Sequence, residues 1–292
     1  MPTDDKNDST DPVWARDEPR IAGATDVGAV RQINQDAFAR FDDAERGEIL
    51  LIVADGLGGH RGGEVASQMA VDIVGRLVLE SGAEPATRLR ESIIQANVQI
   101  HNAARNDHAL DGMGTTIVCL LLAEDGRSYV AHVGDSRLYR LRTDRIDSMT
   151  EDHSLVATLV REGVLSAEEA RTDPRRNQIL RALGVREDVE IDISPIELQP
   201  GDVYLLCSDG LYGMIDDDEI SSRADRPILP GAIVADLIDA ANQAGGTDNI
   251  TCVLAQVPEP MALDTLRTTA TRVIESTRSF LFPSGSPQND DE

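Results

Sequence analysis

The sequence predicts an α+β fold in which antiparallel sheet is covered by helices. Three observations carry this. Apolar strands come in runs, amphipathic helices come in pairs, and Asp125-Gly126 sits between two apolar runs as a hairpin turn requiring positive φ. A doubly wound βαβ sheet would alternate strand and helix instead.

The elements follow in order. "EILLIVA" (48–54) reads as a strand. In "EVASQMAVDIVGRLVLE" (64–80), Val65, Met69, Ile73 and Leu77 recur at i, i+4 with Ala66, Ala70, Val74 and Val78 beside them, which predicts an amphipathic helix. "LRESIIQANVQIHNAA" (89–104) repeats the pattern through Leu89, Ile93, Ala96 and Ile100. "TTIVCLLLA" (115–123) and "SYVAHV" (128–133) flank the Asp125-Gly126 turn and should pair antiparallel, and "RLYRLR" (137–142) is expected to continue the meander. "VEIDISPIEL", "DVYLLCS" and "ITCVLAQV" are further strands, with the helix "GAIVADLIDAANQA" ahead of the last. Residues 154–182 form a helical insert: "SLVATLVREG", then Ser166 and Glu169 at capping-box spacing, a stop at Asp173-Pro174, and the basic "RRNQILR". By pattern alone this is a surface excursion or a mobile flap.

Residues 1–20 are rich in Asp, Pro, Ser and Thr without periodicity, and are expected to be a disordered acidic tail. Residues 258–292 form a C-terminal extension: Leu263, Leu266, Ala270, Val273 and Phe280 follow a loose a/d seam, and "PSGSPQNDDE" ends it as a polar tail. The seam reads as a helix packed on the domain or as a docking helix for a partner.

With 52 acidic against 27 basic residues among 292, the chain carries a formal charge of −25, which makes nucleic acid and anionic membrane poor partners. Cys119, Cys207 and Cys252 are scattered through apolar stretches, as in a reducing compartment without a disulfide framework. No apolar run reaches membrane-span length and the polar start is no secretory signal, so the cytoplasm is the expected location.

The chemistry-bearing residues lie where strands begin and end. Asp36 precedes "AFARF", Asp55-Gly56 closes "LLIVA", Asp135 follows "SYVAHVG", Asp209-Gly210 closes "VYLLCS", and Asp248-Asn249 precedes "ITCVLAQV". Each is a common turn residue. If antiparallel strands bring the five together, their repulsion is tolerable only around cations, and an all-oxygen set suits hard ions such as Mg²⁺ or Mn²⁺. Spacing alone leaves both readings open. Rival schemes find no support. A cysteine phosphatase needs Arg six positions after Cys, where this chain has Asp125, Gly213 and Pro258. Phosphate-loop, zinc-helix and serine-elbow motifs are absent. His101 and His108 read as solvated, His132 as packed and His153 as a local hydrogen-bonding residue; His60, on the glycine loop beside Asp55, is the histidine expected near phosphate.

"TDVGAVRQINQDAF", "VADGLGGH", "MGTT", "HVGDSRLYRLR", "EDHSLVATLVREG", "ILRALG", "LLCSDGLYGMI" and "GGTDNIT" together resemble the bacterial form of the metal-dependent serine/threonine protein phosphatases of the 2C type, from Ile21 to Val257. The resemblance implies a four-layer α-β-β-α sandwich, two antiparallel sheets flanked by helix pairs, with 154–182 as a substrate-facing flap. It implies a binuclear Mn²⁺ or Mg²⁺ centre in which Asp55 bridges both ions and the Gly56 carbonyl binds one. Asp209 and Asp248 hold the other, Asp36 anchors the second ion or its water, and Asp135 joins Asp209 at a third, weaker ion. Arg31, five residues before Asp36, would grip phosphate, and His60 or a water would protonate the departing oxygen. Gln35 stands where many relatives carry an acid, and Leu57 where eukaryotic members carry their histidine. The implied partners are phosphorylated proteins and a cognate Ser/Thr kinase, with the enzyme acting as a monomer. Two rival classes are compatible with the same residues: a phosphatase-like regulator that binds without turnover, and a phosphatase of small metabolites.

Overall fold

The apolar run Ile49–Ala54 lacks polar alternation because the fold covers it on both faces. The computed structural model describes residues 19–258 apart from 59, 60, 125, 144 and 227. In chain order its strands are β1 (Arg20–Asp26), β2 (Asp36–Asp43), β3 (Glu48–Leu57), β4 (Gly114–Thr115), β5 (Ile117–Ala123), β6 (Ser128–Val133), β7 (Arg137–Arg142), β8 (Arg145–Ser148), β9 (Asp192–Ile196), β10 (Val203–Cys207) and β11 (Ile250–Gln256). The helices are α1 (Gly62–Glu80), α2 (Pro85–Asn106), α3 (Leu155–Arg161), α4 (Ala167–Thr172), α5 (Asp209–Tyr212), α6 (Asp217–Ala224) and α7 (Pro230–Gln243). One sheet has the order β1-β11-β10-β7-β8; the other has β2-β3-β5-β6-β9, with β4 paired to β3. The strand pairs are antiparallel.

Three apolar layers explain the stack. Ile49, Leu51 and Val53 of β3 face the other sheet and meet Tyr204, Leu206, Val253 and Ala255. The alternate residues Leu50, Ile52 and Ala54 face α1 and α2, packing with Ala70, Val74, Leu89 and Ile93. On the far side Leu205, Cys207 and Leu254 pack with Ile233 and Leu237 of α7 and Ile220 of α6. The α-β-β-α sandwich therefore stands as the resemblance implied, and the three cysteines are buried free thiols.

Three local expectations change. "RLYRLR" does not continue the meander. β6 pairs with β5 and β9, whereas β7 pairs with β10 and β8, so the chain crosses between sheets at Gly134–Ser136. The fully buried stripe of α1 is Ala66, Ala70, Val74 and Val78, with Val65, Met69 and Leu77 only partly covered. Small side chains let the helix sit close on the sheet: a Cβ at Gly75 would come within 2.1 Å of the Phe41 ring. His101, expected in solvent, is partly covered and bonds through Nδ1 with the Gly184 carbonyl at 3.0 Å.

The β5–β6 hairpin forms with Gly126 at φ 82°, and Asp125 lies outside the described residues. In the insert, α4 carries the full capping box from Ser166 and Glu169. β1 begins at Arg20, one residue inside the expected tail. The first structural unit ends at Pro258. Residues 1–18 and 259–292, with the Leu263–Phe280 seam, lie outside the described residues. No described helix is long and apolar enough to cross a membrane.

Candidate active site

The site forms where the ends of the two sheets meet. β2 and β3 align so that Asp36 and Asp55 are cross-strand partners. Ser208, at the end of β10, reaches from the opposite sheet and donates its hydroxyl to Asp36 Oδ2 at 2.8 Å. Ser208 is itself fixed by Thr251 of β11, which accepts its amide and donates to its hydroxyl, both at 3.0 Å. Asp209 follows and opens α5, and its charge bears on Asp55.

Asp248 sits one turn before β11, with Oδ1 accepting the Asn249 amide at 2.8 Å and Oδ2 accepting Arg31 Nη2 at 2.7 Å. Asn249 holds the arginine's loop in place: its side-chain amide donates to the carbonyls of Val27 and Ile33 at 2.9 and 3.0 Å, and its Oδ1 accepts the Gln35 amide at 2.9 Å. Asp135 lies at the crossover after β6, 3% exposed. Thr116 ties the Asp55 strand to the Asp135 crossover, since its hydroxyl accepts the Asp55 amide at 2.9 Å and lies 2.7 Å from Ser136 Oγ.

Burial is the largest influence on Asp36, Asp55, Asp135 and Asp209, and the neighbouring carboxylates add to it. Asp36 is pushed up to about 7, with Asp209 and Asp248 contributing. Asp135 is pushed up to about 8 by burial and by Asp209, and Asp209 to about 6 by burial and by Asp248. Asp55 is driven well above the usual carboxylate range by burial, then by Asp36, Asp209, Asp135 and Asp248. Two oxygens in this group, Asp36 Oδ1 and Asp135 Oδ1, are buried with no hydrogen-bond partner. Buried carboxylate oxygen left without a donor needs a proton or a cation. A donor set made only of oxygen fits a hard divalent ion, so the residues fit the metal centre implied above.

A family model described as protein phosphatase 2C matches residues 28–255. The chain belongs to the protein phosphatase 2C family. It is 42% identical over 239 residues to the serine/threonine phosphatase stp of Listeria welshimeri, covering 80% of this chain and 93% of that one. Among solved structures, the Mycobacterium tuberculosis serine/threonine phosphatase PstP/Ppp superposes with a TM-score of 0.75 at 35% identity, covering 83% of this chain and all of that one. The catalytic domain of PstP in complex with 2 manganese ions superposes with a TM-score of 0.74 at 36% identity, covering 83% and 99%.

Within this 2C-family chain, Gly56 has a steric reason beside its implied carbonyl role. A Cβ there would lie 2.2 Å from the Gly63 carbonyl oxygen and 2.5 Å from that of Gln35, so the loop after β3 folds tightly onto the start of α1. His60 lies outside the described residues, and so does Gly59. Arg31 is half exposed and bonded to Asp248, which is itself 29% exposed, in contrast to the buried Asp135. Sequence reasoning passed over Thr116 and Ser208. Each is a neighbour of a motif acid or glycine, yet their bonds run to residues 61 and 172 positions away.

Proposed function

We propose that the converging acids hold two divalent cations, Mn²⁺ or Mg²⁺, and that the chain uses them to hydrolyse phosphoserine and phosphothreonine in proteins. Family membership and the relatives' names support the reaction class. The observation that carries the site assignment is the convergence of Asp36, Asp55, Asp135, Asp209 and Asp248, with two buried oxygens lacking donors. Asp55 has Asp36 as its cross-strand partner and feels the charges of Asp209, Asp135 and Asp248 as well, which supports it as the ligand shared by both ions. Asp209 and Asp248 would complete one ion's set, Asp36 and the Gly56 carbonyl the other's. Asp135 with Asp209 would hold a third, weaker ion.

Bound divalent ions supply the charge that keeps these carboxylates ionised and the Lewis acidity that brings a water's pKa toward neutrality. The protein's own part is positioning. β3 and the bonds from Thr115 and Thr116 hold the Asp55 main chain, and Asn249 holds the loop that carries Arg31. With a phosphate present, the Arg31 fork leaves Asp248 and binds two phosphoryl oxygens side by side, offsetting the charge that builds there. His60, four residues after Gly56 in the sequence, is the proposed proton donor to the departing Ser or Thr oxygen. Residues 21–257 make up the catalytic domain, with 154–182 as its substrate-facing flap, and its substrates are products of a Ser/Thr kinase.

The test is phosphate release from phosphoserine and phosphothreonine peptides with Mn²⁺. Release should vanish on chelation and in Asp209→Ala. No release from any phosphate ester with metal present would leave a regulator without turnover. Faster release from phosphorylated metabolites than from peptides would replace the substrate class.

A further inference from the structure

One residue at the base of the insert is tied to the Asp135 loop by more than packing. The backbone N–H of His153 donates to the Gly134 carbonyl at 2.9 Å, and the Gly134 N–H donates to His153 Nδ1 at 3.1 Å. Both main-chain polar groups of Gly134 are thus taken by a single residue. The carbonyl of His153 accepts the Leu180 amide at 2.7 Å, so the same residue also joins the two ends of the 154–182 insert.

Gly134 needs such a clamp. It stands at φ 106°, and a Cβ there would lie 2.6 Å from the Thr116 side chain, so only glycine adopts this backbone. The next residue is Asp135, at the crossover between the sheets. Its own carbonyl accepts the Tyr212 hydroxyl at 2.9 Å, and Ser136 beyond it meets Thr116 Oγ1 at 2.7 Å. The main chain is therefore held at Gly134 and Asp135 and the Ser136 side chain is tied beyond them, while the carboxyl oxygen Oδ1 is left without a partner.

The imidazole is suited to this task and unsuited to another. An acceptor at Nδ1 must carry a lone pair, which puts the proton on Nε2 in the neutral ring. Burial holds the His153 pKa below its ordinary value, and His132 and Arg181 lower it further, which keeps that lone pair available. His132, His153 and Asp192 present ligand atoms within 4.8 Å of one another, a spacing that fits a transition-metal ion. The fixed tautomer argues against one. With Nδ1 accepting, the proton falls to Nε2, which faces Asp192 Oδ2 at 3.4 Å, and the Arg181 guanidinium, with Nη1 3.2 Å from Nε2 and 3.1 Å from Asp192 Oδ1, sets a fixed positive charge where an ion would sit.

We propose that His153 is a positioning residue for Asp135: by taking both main-chain groups of Gly134 it aims the Asp135 carboxylate into the acid cluster and ties that aim to the base of the insert. The inference rests on the proposed role of Asp135 as a cation ligand. Its structural half, the Gly134 clamp, stands independently.

Two full-length variants separate the chemistry from mere filling. His153→Leu keeps most of the volume and removes the acceptor; His153→Asn places Oδ1 where Nδ1 stands. The first readout is exchange of the Gly134 amide by NMR in the metal-free protein. The second is the Mn²⁺ binding isotherm. His153→Leu should lose Gly134 protection by about tenfold, the order set by one buried hydrogen bond. It should also weaken the weakest class of Mn²⁺ sites by a similar factor and leave the tighter sites unchanged. His153→Asn should restore both. A His153→Leu variant with wild-type protection and isotherm overturns the proposal, as does His153→Asn behaving like His153→Leu. If His153→Leu does not fold, the wild-type protein decides: a Gly134 amide that exchanges as an unprotected one overturns the clamp. Failure of the wild-type protein to bind Mn²⁺ at all would instead strike the metal reading, with the exchange data still testing His153.

Discussion

Asp36 and Asp55 stand directly opposite each other across β2 and β3, an arrangement that repulsion between like charges would ordinarily disfavour. Burial and the further acids at 209 and 248 intensify the conflict. The pair makes sense as a ligand set whose stability depends on protons or cations.

The first consequence is a pH dependence of the metal-free protein. Asp36 at about 7, Asp209 at about 6 and Asp135 at about 8 lie above their unfolded values, so the folded state binds more protons than the unfolded one between about pH 4 and 8. Stability from these groups is full below that window and is lost as pH rises through it. In chelator, the melting temperature should fall by several degrees from pH 5 to 8, with Mn²⁺ restoring it most at pH 8. Asp36→Asn should flatten the slope. A melting temperature that rises across the window in chelator would contradict the reading.

Asp209→Asn trades function for stability. It removes a proposed cation ligand and a buried source of repulsion together. Turnover with Mn²⁺ should drop by roughly a thousandfold, while the metal-free variant melts a few degrees higher than wild type at pH 8. Calorimetry and a p-nitrophenyl phosphate assay check both halves.

Arg31 is bonded to Asp248 at 2.7 Å and half exposed, so its loss should cost binding more than folding. Arg31→Ala should raise KM about tenfold or more and weaken inhibition by inorganic phosphate to match, with an unchanged melting curve. Arg31→Lys should rescue little, because an ammonium cannot span two phosphoryl oxygens as a guanidinium does.

Gly56→Ala tests the close approach of β3 to α1. With the Gly63 oxygen 2.2 Å from the added Cβ, the start of α1 must shift. A loss of about 3 kcal/mol in urea unfolding is expected, together with weaker Mn²⁺ binding. A neutral result would mean that the loop yields freely.

Arg88 and Glu48 provide a control remote from the chemistry. The side chains are 2% and 8% exposed, and the single nitrogen Nη2 of Arg88 donates to both Glu48 oxygens, at 2.7 and 2.8 Å. Arg88→Ala leaves a buried carboxylate without its partner and should cost about 3–5 kcal/mol, with kcat of the folded fraction unaltered.

Much of the fold was legible because it is written locally. The 3.6-residue period of α2 named Leu89, Ile93, Ala96 and Ile100, which are fully buried. The Asp-Gly turn named the β5–β6 pair, and the strand-end aspartates stood out one by one. Their grouping came from resemblance to a family, since spacing along the chain carries no information on which strand ends meet.

What the sequence by itself determined is the set of elements and the chemical kind of each site residue, since helical period, turn residues and motif glycines act over a few positions. Only the tertiary structure decided that β7 leaves the β5–β6 sheet for β10, that α1 turns Ala66, Ala70, Val74 and Val78 fully inward while Val65, Met69 and Leu77 stay partly covered, and that Ser208, Thr116 and His153 support the acids from afar. Those outcomes depend on pairing and close approach between segments tens to hundreds of residues apart, where register and packing govern and local periodicity is silent.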